Sequence, residues 1–85
     1  MKTYIVSFSA ESKKFLKKLN HATRLRITAS IEQLETNPRP HGVKKLIGRH
    51  GWRLRVGDYR VIYTIEDNKL LIMIIRVAHR KDVYR

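Results

Sequence analysis

The chain has 85 residues, 42% of them apolar and 31% charged, the size of a single domain (residues 1–85) with one modest core. Nineteen Lys and Arg against seven Asp and Glu leave a net charge of +12 at pH 7, and there is no cysteine. These values exclude disulfide staples, thiol nucleophiles and thiolate metal ligands, and they favour a polyanionic partner over a merely basic surface, because each neutralised phosphate releases counterions and relieves self-repulsion.

Met1-Lys2-Thr3-Tyr4 runs straight into a strand in which Tyr4, Val6 and Phe8 alternate with Ile5 and Ser7. It lacks the layout of a signal peptide. The longest apolar-rich run, Leu70 to Val77, falls far short of a membrane span and contains Arg76. The expectation is a cytoplasmic protein with no membrane partner. Ser9 stands where it can cap a helix, with Glu11 favoured by the dipole in the first turn. Phe15, Leu16 and Leu19 form that helix's apolar stripe. Lys13, Lys14, Lys17 and Lys18 cover the rest, either as a solvated face or as an added contact to ribosomal RNA. Asn20-His21 breaks the run. A second helix fits Ala22 to about Thr36, with Ile27, Ile31 and Leu34 on one face. Asn37-Pro38-Arg39-Pro40 stops it. The two helices should form a hairpin on one face of a sheet.

Pro38 to Gly51 lacks periodicity and reads as a loop. Its basic residues Lys44, Lys45 and Arg49 are candidate RNA contacts, with Leu46 and Ile47 pinning the loop to the body. Next, Trp52-Arg53-Leu54-Arg55-Val56 alternates strictly, Gly57-Asp58 is a two-residue turn, and Tyr59 to Ile65 is the following strand. Asp67-Asn68 reads as a second tight turn. Leu70 to Val77 is the third strand, apolar enough to be central and covered on both faces. The fold class is therefore α+β: an N-terminal strand, a helical hairpin, then an antiparallel three-stranded meander in one sheet.

The first turn sets the register. Val56 should face Tyr59, Arg55 should face Arg60, and Arg53 should face Ile62. Trp52, Leu54, Val56, Tyr59, Val61 and Tyr63 then point toward the helices, while Arg53, Arg55 and Arg60 share the other face. Like charges directly opposite cost a few tenths to about 1 kcal/mol. A bound phosphate backbone turns that cost into attraction, and the planar guanidinium fork suits its oxygens. The competing view is an ordinary solvated face. Ile62, Met73 and Ile75 should give this face an apolar floor, and continued alternation should bring Val77 and His79 onto it.

Metal-free RNA cleavage needs a group to activate the 2′-hydroxyl, charge to stabilise the phosphorane, and a proton for the departing 5′-oxygen. Arginines can supply the second, and His79 is the natural proton carrier near the face. Asp58, Glu66, Asp67 and Asp82 are too scattered for a metal site, and no cofactor is implied. His21, His41 and His50 read as surface or loop residues, with His50 near the groove edge. Tyr84, close to the end of a basic tail, can stack on a base or anchor the tail.

Two blocks, Trp52-Arg53-Leu54-Arg55-Val56-Gly57-Asp58-Tyr59-Arg60-Val61-Ile62-Tyr63 and Val77-Ala78-His79-Arg80-Lys81-Asp82-Val83-Tyr84, resemble the RelE family of toxins within the RelE/ParE group. The resemblance covers nearly the whole chain and implies a fold like that of small microbial ribonucleases. It implies entry into the ribosomal A site, contact with ribosomal RNA, and cleavage of the mRNA codon to a 2′,3′-cyclic phosphate and a 5′-hydroxyl. It also implies a cognate antitoxin, with operator DNA reached only through the antitoxin complex. By the same resemblance, Arg53 and Arg55 match two phosphate-binding basic residues, one a proton acceptor, although the best-known members carry lysines there. Arg60 matches the arginine that stabilises the scissile phosphate. Arg80 matches the residue that stabilises charge or protonates the leaving group, and Tyr84 matches the one that stacks on the base. His79 fits the general acid of other branches, whose acidic general base is not evident here. Lys81 and Arg85 extend the RNA contacts. The ParE branch, which poisons gyrase, shares the hairpin pattern but tends to lack this full basic and tyrosine set. A non-catalytic RNA-binding module is the other alternative.

Overall fold

The structure, a computed structural model, describes residues 3–82. Strand β1 is Ile5–Phe8, and helices α1 (Ala10–Lys17) and α2 (His21–Gln33) follow. Then come β2 (Lys44–Lys45), β3 (Trp52–Val56), β4 (Tyr59–Glu66), a single 3-10 turn (Asp67–Lys69) and β5 (Leu71–His79). Among the described residues the strands form one sheet in the order β1-β5-β4-β3-β2.

Each helix starts where a side chain can accept from a free amide. Ser9 Oγ accepts from the Ser12 amide at 3.1 Å, and Asn20 Oδ1 accepts from Thr23 at 2.8 Å. Each cap contributes about 1 kcal/mol. Glu11 in the first turn of α1 and Lys14 and Lys17 in its last also suit the dipole. Helix α1 packs over β5 and α2 over β3. Between helices and sheet lie Leu16, Ile27, Ile31 and Leu34 against Val56, Val61, Tyr63, Ile65, Ile72, Ile74 and Val77. Tyr4, Val6, Phe8, Trp52, Leu54 and Tyr59 close the margins.

The β3–β4 hairpin has the expected register throughout: Val56 faces Tyr59, Arg55 faces Arg60, and Arg53 faces Ile62. Gly57 holds the turn at φ 58, and the Arg26 guanidinium lies 3.1 Å from where a Cβ would stand. The turn thus needs glycine for its handedness, while the Arg26 side chain would have to give by a few tenths of an ångström to admit a Cβ.

Five features differ from the sequence reading. The sheet is mixed, because β1 pairs with β5 in parallel, Val6 beside Ile72 and Phe8 beside Ile74. The basic loop contains a short edge strand, with Lys44 facing Arg53 and Lys45 facing Trp52. The second turn is longer than two residues, since Asp67–Lys69 makes a 3-10 turn and Leu70 adopts φ 50 before β5 begins. Strand β5 is internal in the sheet but covered by helices on one face only, and Ile75 is 40% exposed.

The fifth difference bears on the site. Tyr63 faces Ile74, but Ile62 faces Arg76, so Ile75 is an extra residue in β5. A bulge of this kind reverses the alternation beyond it. Arg76 and Ala78 therefore join the arginine face. Val77 and His79 turn to the helix side, where Val77 is buried and His79 faces Tyr59. The expected placement of Val77 and His79 is corrected accordingly.

A clasp ties the start of the basic loop to the turn between β4 and β5. Arg39 makes two hydrogen bonds to the Asp67 carboxylate, at 3.2 and 2.8 Å, and Tyr4 donates to the same carboxylate at 2.6 Å. The Arg39 guanidinium also lies over the Trp52 ring, 5.3 Å from its centre. Nearby, the buried Tyr63 hydroxyl donates to the Pro38 carbonyl at 2.7 Å.

Candidate functional site

Strand pairing alone lines up the cations. One row across the sheet runs Lys44, Arg53, Ile62, Arg76, and the next runs Arg55, Arg60, Ala78. The face opposite the helices therefore carries two cationic rows around an aliphatic floor, with Thr64 and Met73 beyond.

Arg60 is the centre of this face. It is 8% exposed, and its guanidinium donates to the carbonyls of Gly57 (3.1 Å) and Tyr59 (3.0 Å). Burial lowers its pKa, and the charges of Arg55, Arg53 and Arg80 lower it further, against a smaller opposing effect of Asp58. These four arginines share one electrostatic environment, and an anion placed among them would relieve it.

Arg80 reaches the cluster from the end of β5. Its amide donates to the Asp58 carbonyl at 2.7 Å, and its guanidinium stands 3.8 Å from the Asp58 carboxylate. Asp58, read from sequence only as a turn residue, thus docks the C-terminal turn onto the hairpin. The side chains of Arg80 and Asp58 are both more than half exposed, so this pair is loose and open to competition by a phosphate.

The RNA-contact candidates of the basic loop gather in a groove of about 330 Å³ lined by Lys44, Lys45, Leu46, Ile47, Arg49 and Arg53. Arg53 joins this groove to the arginine face. Ile47 does not pin the loop as expected, being 98% exposed, whereas Leu46 lies at the buried Gly51.

His79 stands apart from the guanidinium cluster. Its ring meets Tyr59 edge-on at 5.5 Å, Tyr59 meets Phe15 in the same way, and its Nδ1 accepts from the Lys81 amide at 3.2 Å. The neutral ring therefore carries its proton on Nε2. Lys81 is exposed on the turn beside Arg80. Tyr84 and Arg85 lie outside the described residues. Among those residues, no three His, Asp or Glu side chains gather as metal ligands would.

Arg76 was missed as a site residue. Nothing in an apolar run marks where a bulge will fall, so its face could not be read. A signal existed in hindsight: an arginine inside an otherwise apolar strand must reach a polar surface.

Fold and site together define a small α+β protein with one cationic sheet face. The family model described as the ParE toxin of type II toxin-antitoxin systems matches residues 6–84. Toxin RelE3 of Methanocaldococcus jannaschii is 38% identical over 81 residues, covering 86% of this chain and 90% of that protein. Toxin RelG of Mycobacterium tuberculosis is 32% identical over 88 residues, covering 96% and 97%. The archaeal RelE of a RelE–RelB complex from Pyrococcus horikoshii superposes with a TM-score of 0.83 at 32% identity, covering 95% of this chain and 99% of that one. The chain belongs to the RelE/ParE family of toxins of type II toxin-antitoxin systems.

Proposed function

We propose that this toxin is a ribosome-dependent, metal-independent endoribonuclease that cuts mRNA codons in the A site and is silenced by a cognate antitoxin. The observation that carries the reading is the buried Arg60 held among Arg53, Arg55 and Arg80 on one open face. In the reaction the 2′-hydroxyl oxygen attacks the adjacent phosphorus, and the 5′-oxygen leaves. The products are a 2′,3′-cyclic phosphate and a 5′-hydroxyl. Negative charge grows on the non-bridging oxygens at the pentacoordinate stage, and in this reading the charges of Arg53, Arg55, Arg60 and Arg80 stabilise it. Arg60, fixed by two backbone carbonyls, needs little reorganisation to meet it. Arg80, on a looser tether, can follow the leaving oxygen.

Acid–base help is weaker. Guanidinium is a poor proton carrier, and His79 lies on the other side of the sheet. Alignment of the 2′-hydroxyl therefore falls to the ribosome, and naked RNA should be cut slowly. Tyr84 and Arg85, like Lys44, Lys45, Arg49 and Lys81, serve in this reading to hold the message. The antitoxin assignment is supported by the RelE–RelB assembly of the Pyrococcus horikoshii relative.

The second reading, a gyrase inhibitor, draws on the ParE description of the matching family model. One pair of assays separates the two. Ribosomes programmed with a defined message should yield A-site cuts with the wild type, and Arg60→Ala and Arg80→Ala should lose cutting far more than RNA affinity. Inhibition of gyrase supercoiling without any cut message would overturn the nuclease reading, and equal loss of cutting and binding would point to a plain RNA binder.

A further inference from the structure

We infer that Arg76 is a positioning residue: the β5 bulge aims it at the turn that follows the strand, and it holds that turn so that Arg80 faces the cleft. The inference rests on the nuclease reading for its functional consequence only.

The geometry begins with the bulge. Ile72 and Ile74 are buried under the helices, and unbroken alternation would drive Arg76 into the same core. The extra Ile75 prevents this and sets Arg76 beside Ile62 on the open face. The bulge is held from outside the strand. The Ser9 hydroxyl, while capping α1, donates to the Ile75 carbonyl at 2.7 Å. The start of α1 and the irregular point of β5 are therefore one structural unit.

That unit also supplies the partner of Arg76. Glu11, in the first turn of α1, brings its carboxylate to 3.7 Å from Arg76 Nε. Nη2 of the same guanidinium donates to the Asp82 carbonyl at 3.0 Å. Arg76 thereby spans three parts of the chain: the helix start, the strand and the C-terminal turn. Within the turn, the Asp82 amide returns to the His79 carbonyl at 2.8 Å, and the Lys81 amide to His79 Nδ1. Arg80 lies between those contacts, and its own amide is fixed to Asp58. The guanidinium of Arg76 is thus engaged through two of its nitrogens, and the residue it restrains, Asp82, lies two positions beyond Arg80 in the same turn. Bulges commonly lie next to active sites, where they re-aim a side chain. Here the re-aimed side chain acts through the turn.

Two measurements test this. Amide exchange should accelerate at Asp82 about tenfold in Arg76→Ala, the worth of one charge-assisted hydrogen bond. Arg76→Lys, which keeps the charge and a donor, should recover most of that protection. In A-site cleavage, Arg76→Ala should lower kcat about tenfold with little change in KM, and in an Arg80→Ala background the same substitution should cost less than about twofold. Unchanged exchange at Asp82 would overturn the proposal. So would losses that multiply in the double variant, which would make Arg76 an independent contact to RNA. If the wild type cut no ribosome-bound message, the nuclease reading would fall, and the exchange arm would still decide whether Arg76 holds the turn.

Discussion

Arg60 is placed where a charge contributes little to stability. The residue is buried, its guanidinium's hydrogen bonds run to two carbonyls, and the charges acting on it are mostly of its own sign. A buried charge in that setting stabilises little, and replacing it by an apolar group of similar length is often neutral or better. Arg60→Met should therefore raise the melting temperature by a few degrees, at about 4–8 °C per kcal/mol for a chain of this size, while removing cleavage. A large fall in melting temperature by calorimetry would show that the guanidinium is chiefly structural. Tyr63 makes the opposite case. Burial pushes its hydroxyl pKa up to about 12, and the hydroxyl donates a hydrogen bond to the Pro38 carbonyl. A raised folded-state pKa means that its contribution is fully present below the unfolded value of about 10 and is lost as pH rises toward 12. Tyr63→Phe should cost about 1 kcal/mol at pH 7 for the lost hydrogen bond. It should also show a shallower loss of stability across the alkaline window in urea titrations. Equal slopes for the two proteins would refute the linkage.

At the scale of elements, the β3–β4 turn is the feature on which the site depends. Gly57 sits at φ 58 with the Arg26 guanidinium against its open side. Gly57→Ala should cost about 1–2 kcal/mol for the left-handed backbone alone. Adding Arg26→Ala should recover only the steric part, and full recovery in denaturant unfolding would show that the backbone is unstrained. This hairpin was legible in the sequence, because strict alternation around Gly57-Asp58 leaves one register in which Trp52, Leu54 and Val56 are covered. The cluster of Arg53, Arg55 and Arg60 followed from it. Other elements were less legible for physical reasons. Leu71 to Ile75 is apolar at every position, so it carries no phase, and the bulge that decides the faces of Arg76 and His79 left no pattern. Lys44–Lys45 is too short for any period to show. The parallel pairing of β1 with β5 and the Arg39–Asp67 clasp join distant segments, and local propensity is silent about both. The second turn was misjudged because Leu70, which is not a glycine, takes the left-handed conformation.

For the molecule as a whole, the net charge of +12 has two consequences of opposite sign. In the free protein the cations repel one another, so screening should stabilise the fold, and the melting temperature should rise with added salt. RNA binding should weaken over the same range, because every phosphate contact releases counterions that salt returns. Arg53, Arg55, Arg60 and Arg80 alone should contribute about −3 to the slope of log K against log salt for a single-stranded RNA, taking about 0.7 per contact, and the lysines and arginines of the loop and C-terminal end should steepen it. Affinity should then fall at least about fiftyfold between 50 and 200 mM salt. Arg55→Ala should reduce the slope by about 0.7, since Arg55 is exposed and carries no structural duty evident in its packing. The two trends have to appear together in one preparation. A melting temperature indifferent to salt would mean that the cations are already neutralised within the fold. A flat binding curve would mean that RNA is held by something other than this face.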